Sequence, residues 1–239
     1  MTNIIEVVPW IAKELSIPVQ INEENLHIAT AVFVAVILTI ASFLAWRRLR
    51  KTDENIIPSR KFSFATLFEL MVESLLHLME DIIGPKARKH LPLIGTLFIY
   101  ILTCNLIGVV PGFVPPTDNI NTNFACAICV FLYYNFAGIR EHGLLKYFRH
   151  MAGPVIWLAP LMITIELTSH LVRPVSLSVR LFGNMMGDHV VLGIFSDMVP
   201  LFVPIAFMGL TIFVAFIQAF VFSLLSIVYI ALATHSEGN

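Results

Sequence analysis

Between Leu171 and His189 the chain reads LVRPVSLSVRLFGNMMGDH, which sets Arg173, Arg180, Asn184, Asp188 and His189 in strongly apolar surroundings. An arginine at the centre of a bilayer costs about 2.5–3.5 kcal/mol on an insertion scale, so it is kept only where something pairs with it or uses it. With Arg180 at zero on an ideal helical wheel, Gly187, Ser176 and Gly183 fall near about −20°, −40° and −60°, and Arg173, Asn184 and Glu166 between about +20° and +40°. One face thus carries both polar and small residues. Small residues let a neighbouring membrane helix approach closely, so this face suits charge handling against a partner that packs or slides there.

Each residue also has a structural reading. Arg173 beside Pro174 suits a snorkelling anchor or an ion-pair partner, and Glu166 is placed to pair with it. His170 and His189 are expected to hydrogen-bond backbone carbonyls, and Gln218, the one amide of the last apolar run, to join two helices. Arg180 is harder to explain structurally. Asp188, two turns on, is the nearest acid on its own helix, so its counter-charge is expected from elsewhere.

The elements that must position these groups follow from composition. Hydrophobic residues make up 57% of the 239 and charged ones 13%, against about 25% charged in a soluble domain. Apolar runs of about 20 residues are long enough to cross ~30 Å of hydrocarbon. The expected class is therefore an all-α integral membrane protein. A net charge of −1 gives no basic footprint for nucleic acid. Cys126 and Cys129 have C-x-x-C spacing without a second pair or nearby histidine, so the cysteines are read as packing residues. No metal site and no cofactor are expected.

In chain order, residues 1–25 are expected to be an outward-facing segment, and residues 26–239 a single helical membrane domain. The first span is Leu26 to Trp46, stopped by Arg47, Arg48, Arg50 and Lys51, which mark the cytoplasmic side. Phe62 to Gly84 is amphipathic, with Glu69, Glu73, His77, Glu80 and Asp81 on one face, and basic clusters flank both its ends. It is expected to lie on the inner surface, with a protein neighbour for its acidic face. Leu91 to Val110 runs outward to the loop PGFVPPTDN, and a helix from near Asn123 returns to Arg140. This topology puts 12 of the 15 lysines and arginines inside. The last two helices, Trp157 to about Asp197 and Leu201 to Ala233, would be ~60 and ~50 Å long. Helices of that length must be strongly tilted, broken or extended beyond the bilayer. The total is about five membrane helices plus one interfacial helix.

Arg180, Leu181, Phe182, Gly183 and Asn184, preceded by Pro174, Val175, Ser176 and Leu177, resemble the signature of subunit a of the F-type ATP synthase membrane sector. The likeness extends to Asn105–Pro111, Pro116–Asp118 and Asn121, to Gln218, Ala219 and Phe220, and over most of the chain from about residue 60. The resemblance implies a non-catalytic stator subunit of a bacterial inner membrane, N-terminus outside and C-terminus cytoplasmic. Its last two helices would lie steeply tilted against a rotating ring of small hairpin c subunits, with peripheral stalk b subunits and lipid as further partners. It implies that Arg180 faces the ring's ion-binding carboxylate. Asn184, His189 and Gln218 would line the outward half-channel or adjoin the arginine, Glu166 would belong to the inward one, and Asp118, His170 and Asp188 are further candidate lining residues. A fixed cation favours the ionised form of an arriving carboxylate, and arginine, unlike lysine, cannot relay a proton itself.

The chain departs from the family pattern at Thr211, seven residues before Gln218, where a titratable group is expected. The family's histidine–carboxylate pairing is therefore not carried over to His189. Asp188 is adjacent in sequence but points about 100° away on an ideal helix. The alternative reading, an ion channel or secondary transporter using the buried Arg, Glu and His, lacks an internal repeat and paired Gly/Pro-broken helices. An intramembrane hydrolase would need a nucleophile with its base, and no G-x-S-x-G is present.

Overall fold

A computed structural model describes residues 26–50, 64–110, 113–143, 159–198 and 202–234. Among these residues every regular element is helical. The chain divides into two compact units, Met1–Pro116 and Thr117–Asn239, and residues 1–25 lie outside the described part.

The first unit begins with α1 (Leu26–Arg50), which is apolar all round. Within it Thr30 and Val34 are buried, while Ile28, Val32, Val36, Ile40 and Leu44 are exposed, the pattern of a helix bathed in lipid. At its basic end the Arg47 guanidinium lies 4.8 Å from the Phe43 ring centroid. The second helix, α2 (Phe64–Ile83), is amphipathic as expected: Leu75, Met79 and Ile83 are buried, and Glu69, Glu73, His77 and Asp81 are exposed. It ends at Gly84, whose φ of 82° is the left-handed conformation that closes helices without strain only at glycine. After the 3-10 turn Ala87–Lys89, Arg88 Nε reaches back to Glu80 Oε1 at 3.1 Å. Part of the acidic face is thus met by the chain's own basic cluster.

The third helix, α3 (Leu91–Ile107), carries Pro92 in its first turn, where no N–H is missed. It stops short of the expected Val110, at about 25 Å of length. A Cβ on Gly108 would stand 2.9 Å from Pro115 Cγ, so only glycine lets the loop fold back against this helix end.

The second unit contains three long helices: α4 (Ile120–His142), α5 (Ala159–Met198) and α6 (Phe202–Thr234). The first starts three residues before the expected Asn123. Asn119 caps it by accepting the Asn121 N–H at 2.9 Å. Its buried residues Asn123, Ala127, Val130, Tyr134 and Gly138 recur every three or four positions and form one seam. Against that seam α5 buries His170, Leu177, Ser178, Leu181 and Met185, and α6 buries Ala215, Gln218, Ala219, Phe222 and Ser226. In lipid this contact rests on close packing and interhelical hydrogen bonds, since hydrocarbon expels no apolar surface.

Of the lengths that pointed to tilted, broken or extended helices, the structure excludes broken ones: α5 runs for 40 residues and α6 for 33. Pro174 is accommodated inside α5, where its carbonyl accepts the Ser178 hydroxyl at 2.8 Å. By length and composition, α1, α4 and α6 are able to cross a bilayer, and α3 is a shorter apolar helix.

Candidate functional site

The buried face of α5 fixes what its other face presents. With Leu177, Ser178, Leu181 and Met185 turned into the three-helix unit, Ser176, Val179, Arg180, Gly183, Met186 and Gly187 form an exposed stripe. A Cβ added at Gly183 or Gly187 would meet nothing within 4 Å. The small face read from the wheel therefore exists, and it points away from its own unit. Arg180 stands in the middle of it, and no ion-pair partner for it is found among the described residues.

On one side of Arg180, one turn along α5, Asn184 Nδ2 donates to Gln218 Oε1 of α6 at 2.5 Å. Gln218, which is buried, thus joins two helices, as read from its place as the one amide of the last apolar run. Neutral amides orient water and neighbouring dipoles but do not titrate. Among the described residues near this end of α5, Asp188 is titratable and half-buried; the His189 side chain lies outside the described part. Thr211 donates its hydroxyl to the Phe207 carbonyl at 3.0 Å and adds no titratable group.

On the other side lies a second cluster. Glu166 Oε1 is 3.2 Å from His170 Nε2 and 3.8 Å from Arg173 Nη2. The Tyr134 hydroxyl of α4 is 3.2 Å from His170 Nδ1. The expected Glu166–Arg173 pair is present but loose, and His170 does not use a backbone carbonyl: both ring nitrogens face side chains. Arg173, placed on the Arg180 face by the ideal wheel, instead lies over aromatic rings, 5.4 Å from the Tyr229 centroid and 6.0 Å from that of Tyr134. Its long stem and the proline beside it make the difference. Tyr134 and Tyr229 were missed in the sequence. The available signal was a tyrosine inside an apolar helix, whose hydroxyl must find a partner when buried.

The two clusters are in register. Arg173 meets Tyr229 and Asn184 meets Gln218, so eleven residues up α5 correspond to eleven down α6, an antiparallel pairing. Glu166 and Asn184 are then about 27 Å apart along the axis, with Arg180 between them. Asp118 ends a 3-10 turn before α4, where Asn123 Nδ2 donates to the Thr117 carbonyl at 2.8 Å. Cys104 is buried as expected of a packing residue, whereas Cys129 is exposed on α4.

This arrangement can hold a permanent cation at an exposed helix face, flanked by a titratable hydrogen-bonded string on one side and an amide pair on the other. Comparisons with known proteins place the chain in a family. The family model described as ATP synthase A chain matches residues 28–231. ATP synthase subunit a of Bdellovibrio bacteriovorus is 44% identical over 213 residues, covering 89% of this chain and 93% of that protein. ATP synthase subunit a 1 of Syntrophotalea carbinolica is 47% identical over 205 residues, covering 86% and 84%. ATP synthase subunit a of Geobacter sulfurreducens is 42% identical over 219 residues, covering 91% and 92%.

Proposed function

The chain belongs to the ATP synthase A chain family, and from that premise we propose how it carries protons as the non-catalytic stator subunit of the membrane sector. A rotating ring of small c subunits slides along the exposed stripe of α5, and each ring carboxylate passes Arg180 in turn. One path, leading to the outer side, reaches the ring near Asn184, Gln218, Asp188 and His189, with Asp118 in its lining. The other leads inward past Glu166 and His170. Arg180 stands between the two.

The single observation that carries this reading is the placement of Arg180: exposed, among small residues, between two polar clusters on one helix. A cation held there favours the ionised form of a carboxylate brought near it, so the arriving group releases its proton. The same charge repels a proton moving directly from one path to the other. A channel or secondary transporter is not favoured, since the family match spans most of the chain.

The remaining assignments belong to the same proposal. Residues 26–239 act as one membrane domain of a bacterial inner membrane, with residues 1–25 and the N-terminus outside and the C-terminus in the cytoplasm. The helix α2 lies on the inner surface, and the peripheral stalk b subunits are further partners. Cysteine cross-linking tests the ring contact. In a background without Cys104, Cys126 and Cys129, a cysteine at Ser176 or Gly183 is expected to form an oxidative cross-link to a single-cysteine ring subunit. A cysteine at Leu177 or Leu181, on the buried side, is expected not to. Equal cross-linking from both sides of α5 would refute the docking face.

A further inference from the structure

His170 is 8% exposed, and for a neutral ring beside an ionised Glu166 the groups around it leave one arrangement of its protons that pairs both nitrogens. Glu166 Oε1, 3.2 Å from Nε2, is a carboxylate that accepts. The Tyr134 hydroxyl, 3.2 Å from Nδ1, is able to donate. The tautomer with its proton on Nε2 donates to Glu166 and accepts from Tyr134. Tyr134 is itself fixed: it is 1% exposed, its ring packs edge-on against Phe131 at 5.5 Å, and Tyr229 of α6 lies 6.0 Å away. Packing fixes the hydroxyl, the carboxylate on Nε2 selects the tautomer, and the hydroxyl completes it by donating to Nδ1.

The rest of the charge around Glu166 gives that N–H a purpose. Arg173, the one cation in contact with the carboxylate among the described residues, stands at 3.8 Å, with its guanidinium over the Tyr134 and Tyr229 rings. A guanidinium closed onto a carboxylate in a bidentate pair holds it ionised and leaves its oxygens poorly available to a proton. A neutral donor on the carboxylate avoids that.

We propose that His170 is a positioning residue for Glu166: a neutral imidazole, oriented by Tyr134 of α4, that holds the carboxylate off a closed pair with Arg173 and leaves it free to exchange protons. This role rests on the assignment of Glu166 to the inward path. Glutamine separates positioning from proton relay at this site. Its amide nitrogen is able to stand near the place of Nε2 and donate, but it does not titrate.

The test is ATP-driven acidification of membrane vesicles that contain the assembled complex, with subunit content measured for each variant. His170→Leu is expected to lower the rate at least about tenfold, the lower end of what loss of an orienting hydrogen-bond partner costs a site. His170→Gln is expected to restore it to within about twofold of wild type, since the donor is replaced. Tyr134→Phe keeps the ring packing and removes only the hydroxyl, so a reduced rate with normal assembly is expected there as well. On a Glu166→Gln background, His170→Leu is expected to add no further loss to the residual rate. The role is overturned by normal pumping in His170→Leu, by an unchanged rate in Tyr134→Phe, by a His170→Gln as damaged as the leucine variant, or by a full additional loss on the Glu166→Gln background. Normal pumping in Glu166→Gln overturns the inward-path assignment and this role together. A damaged Glu166→Gln beside an unaffected His170→Leu overturns the positioning role alone.

Discussion

Arg180 and Arg173 lie two turns apart on one helix, yet they face different surroundings. Arg173 is taken up by a carboxylate and two tyrosine rings, whereas Arg180 is exposed on the small face. Arg180→Lys is predicted to abolish coupled ATP synthesis even though the charge is kept. A lysine ammonium loses its proton when desolvated, and it lacks the planar fork that meets a carboxylate with two donors. ATP synthesis by energised vesicles checks this. The Asn184–Gln218 hydrogen bond gives a second prediction at this scale. Replacing either residue by alanine should destabilise the complex, and the double variant should cost less than the two singles together, by about 0.6–1.7 kcal/mol. Thermal inactivation of the wild type and the three variants measures the coupling, and strict additivity would count against an energetically real bond. Some of these contacts were legible beforehand. Glu166 and His170 are four residues apart, so a shared helix face was open to inspection. Tyr134 was not legible as their partner, because a contact across 36 positions depends on how α4 and α5 pack.

At the level of elements, the helices were the most readable part of the molecule. Long apolar runs admit no other backbone in lipid, because every N–H and C=O must be satisfied within its own segment. The amphipathic α2 and the two overlong helices announced themselves by periodicity and length. Helix ends were less legible: α3 stops early at Gly108 and α4 starts early at Asn119, each decided by one local contact. Two glycines then make a paired prediction. At Gly187 a side chain would meet open space within the chain, so Gly187→Leu should leave insertion and subunit levels normal while blocking the partner helix. The steric cost of that obstruction is about 1–3 kcal/mol by analogy with overpacked cores. Normal pumping with leucine in place would remove α5 from the docking face. At Gly108 an added methyl collides with Pro115 inside the chain, so Gly108→Ala should lower the amount of stable protein instead. Labelling from the two sides of the membrane tests α2: cysteines at Ser59 and Lys86 should both react from the cytoplasmic side. Reaction from opposite sides would mean that α2 crosses.

For the whole molecule the question, on the proposed reading, is how a ring could turn without letting protons through. A proton falling through 100 mV supplies about 2.3 kcal/mol per charge, so several must pass for each ATP formed, and a small leak would dissipate the gradient. On the proposed reading one charge, Arg180, is both the seal and the group that makes ring carboxylates release their protons. The most direct test is to compare ATP-driven acidification and passive proton permeability in vesicles carrying the assembled complex with Arg180 or with Arg180→Ala. The alanine variant is predicted to show no ATP-driven acidification and a raised passive proton permeability at normal subunit content. Substantial ATP-driven pumping by that variant would contradict the account.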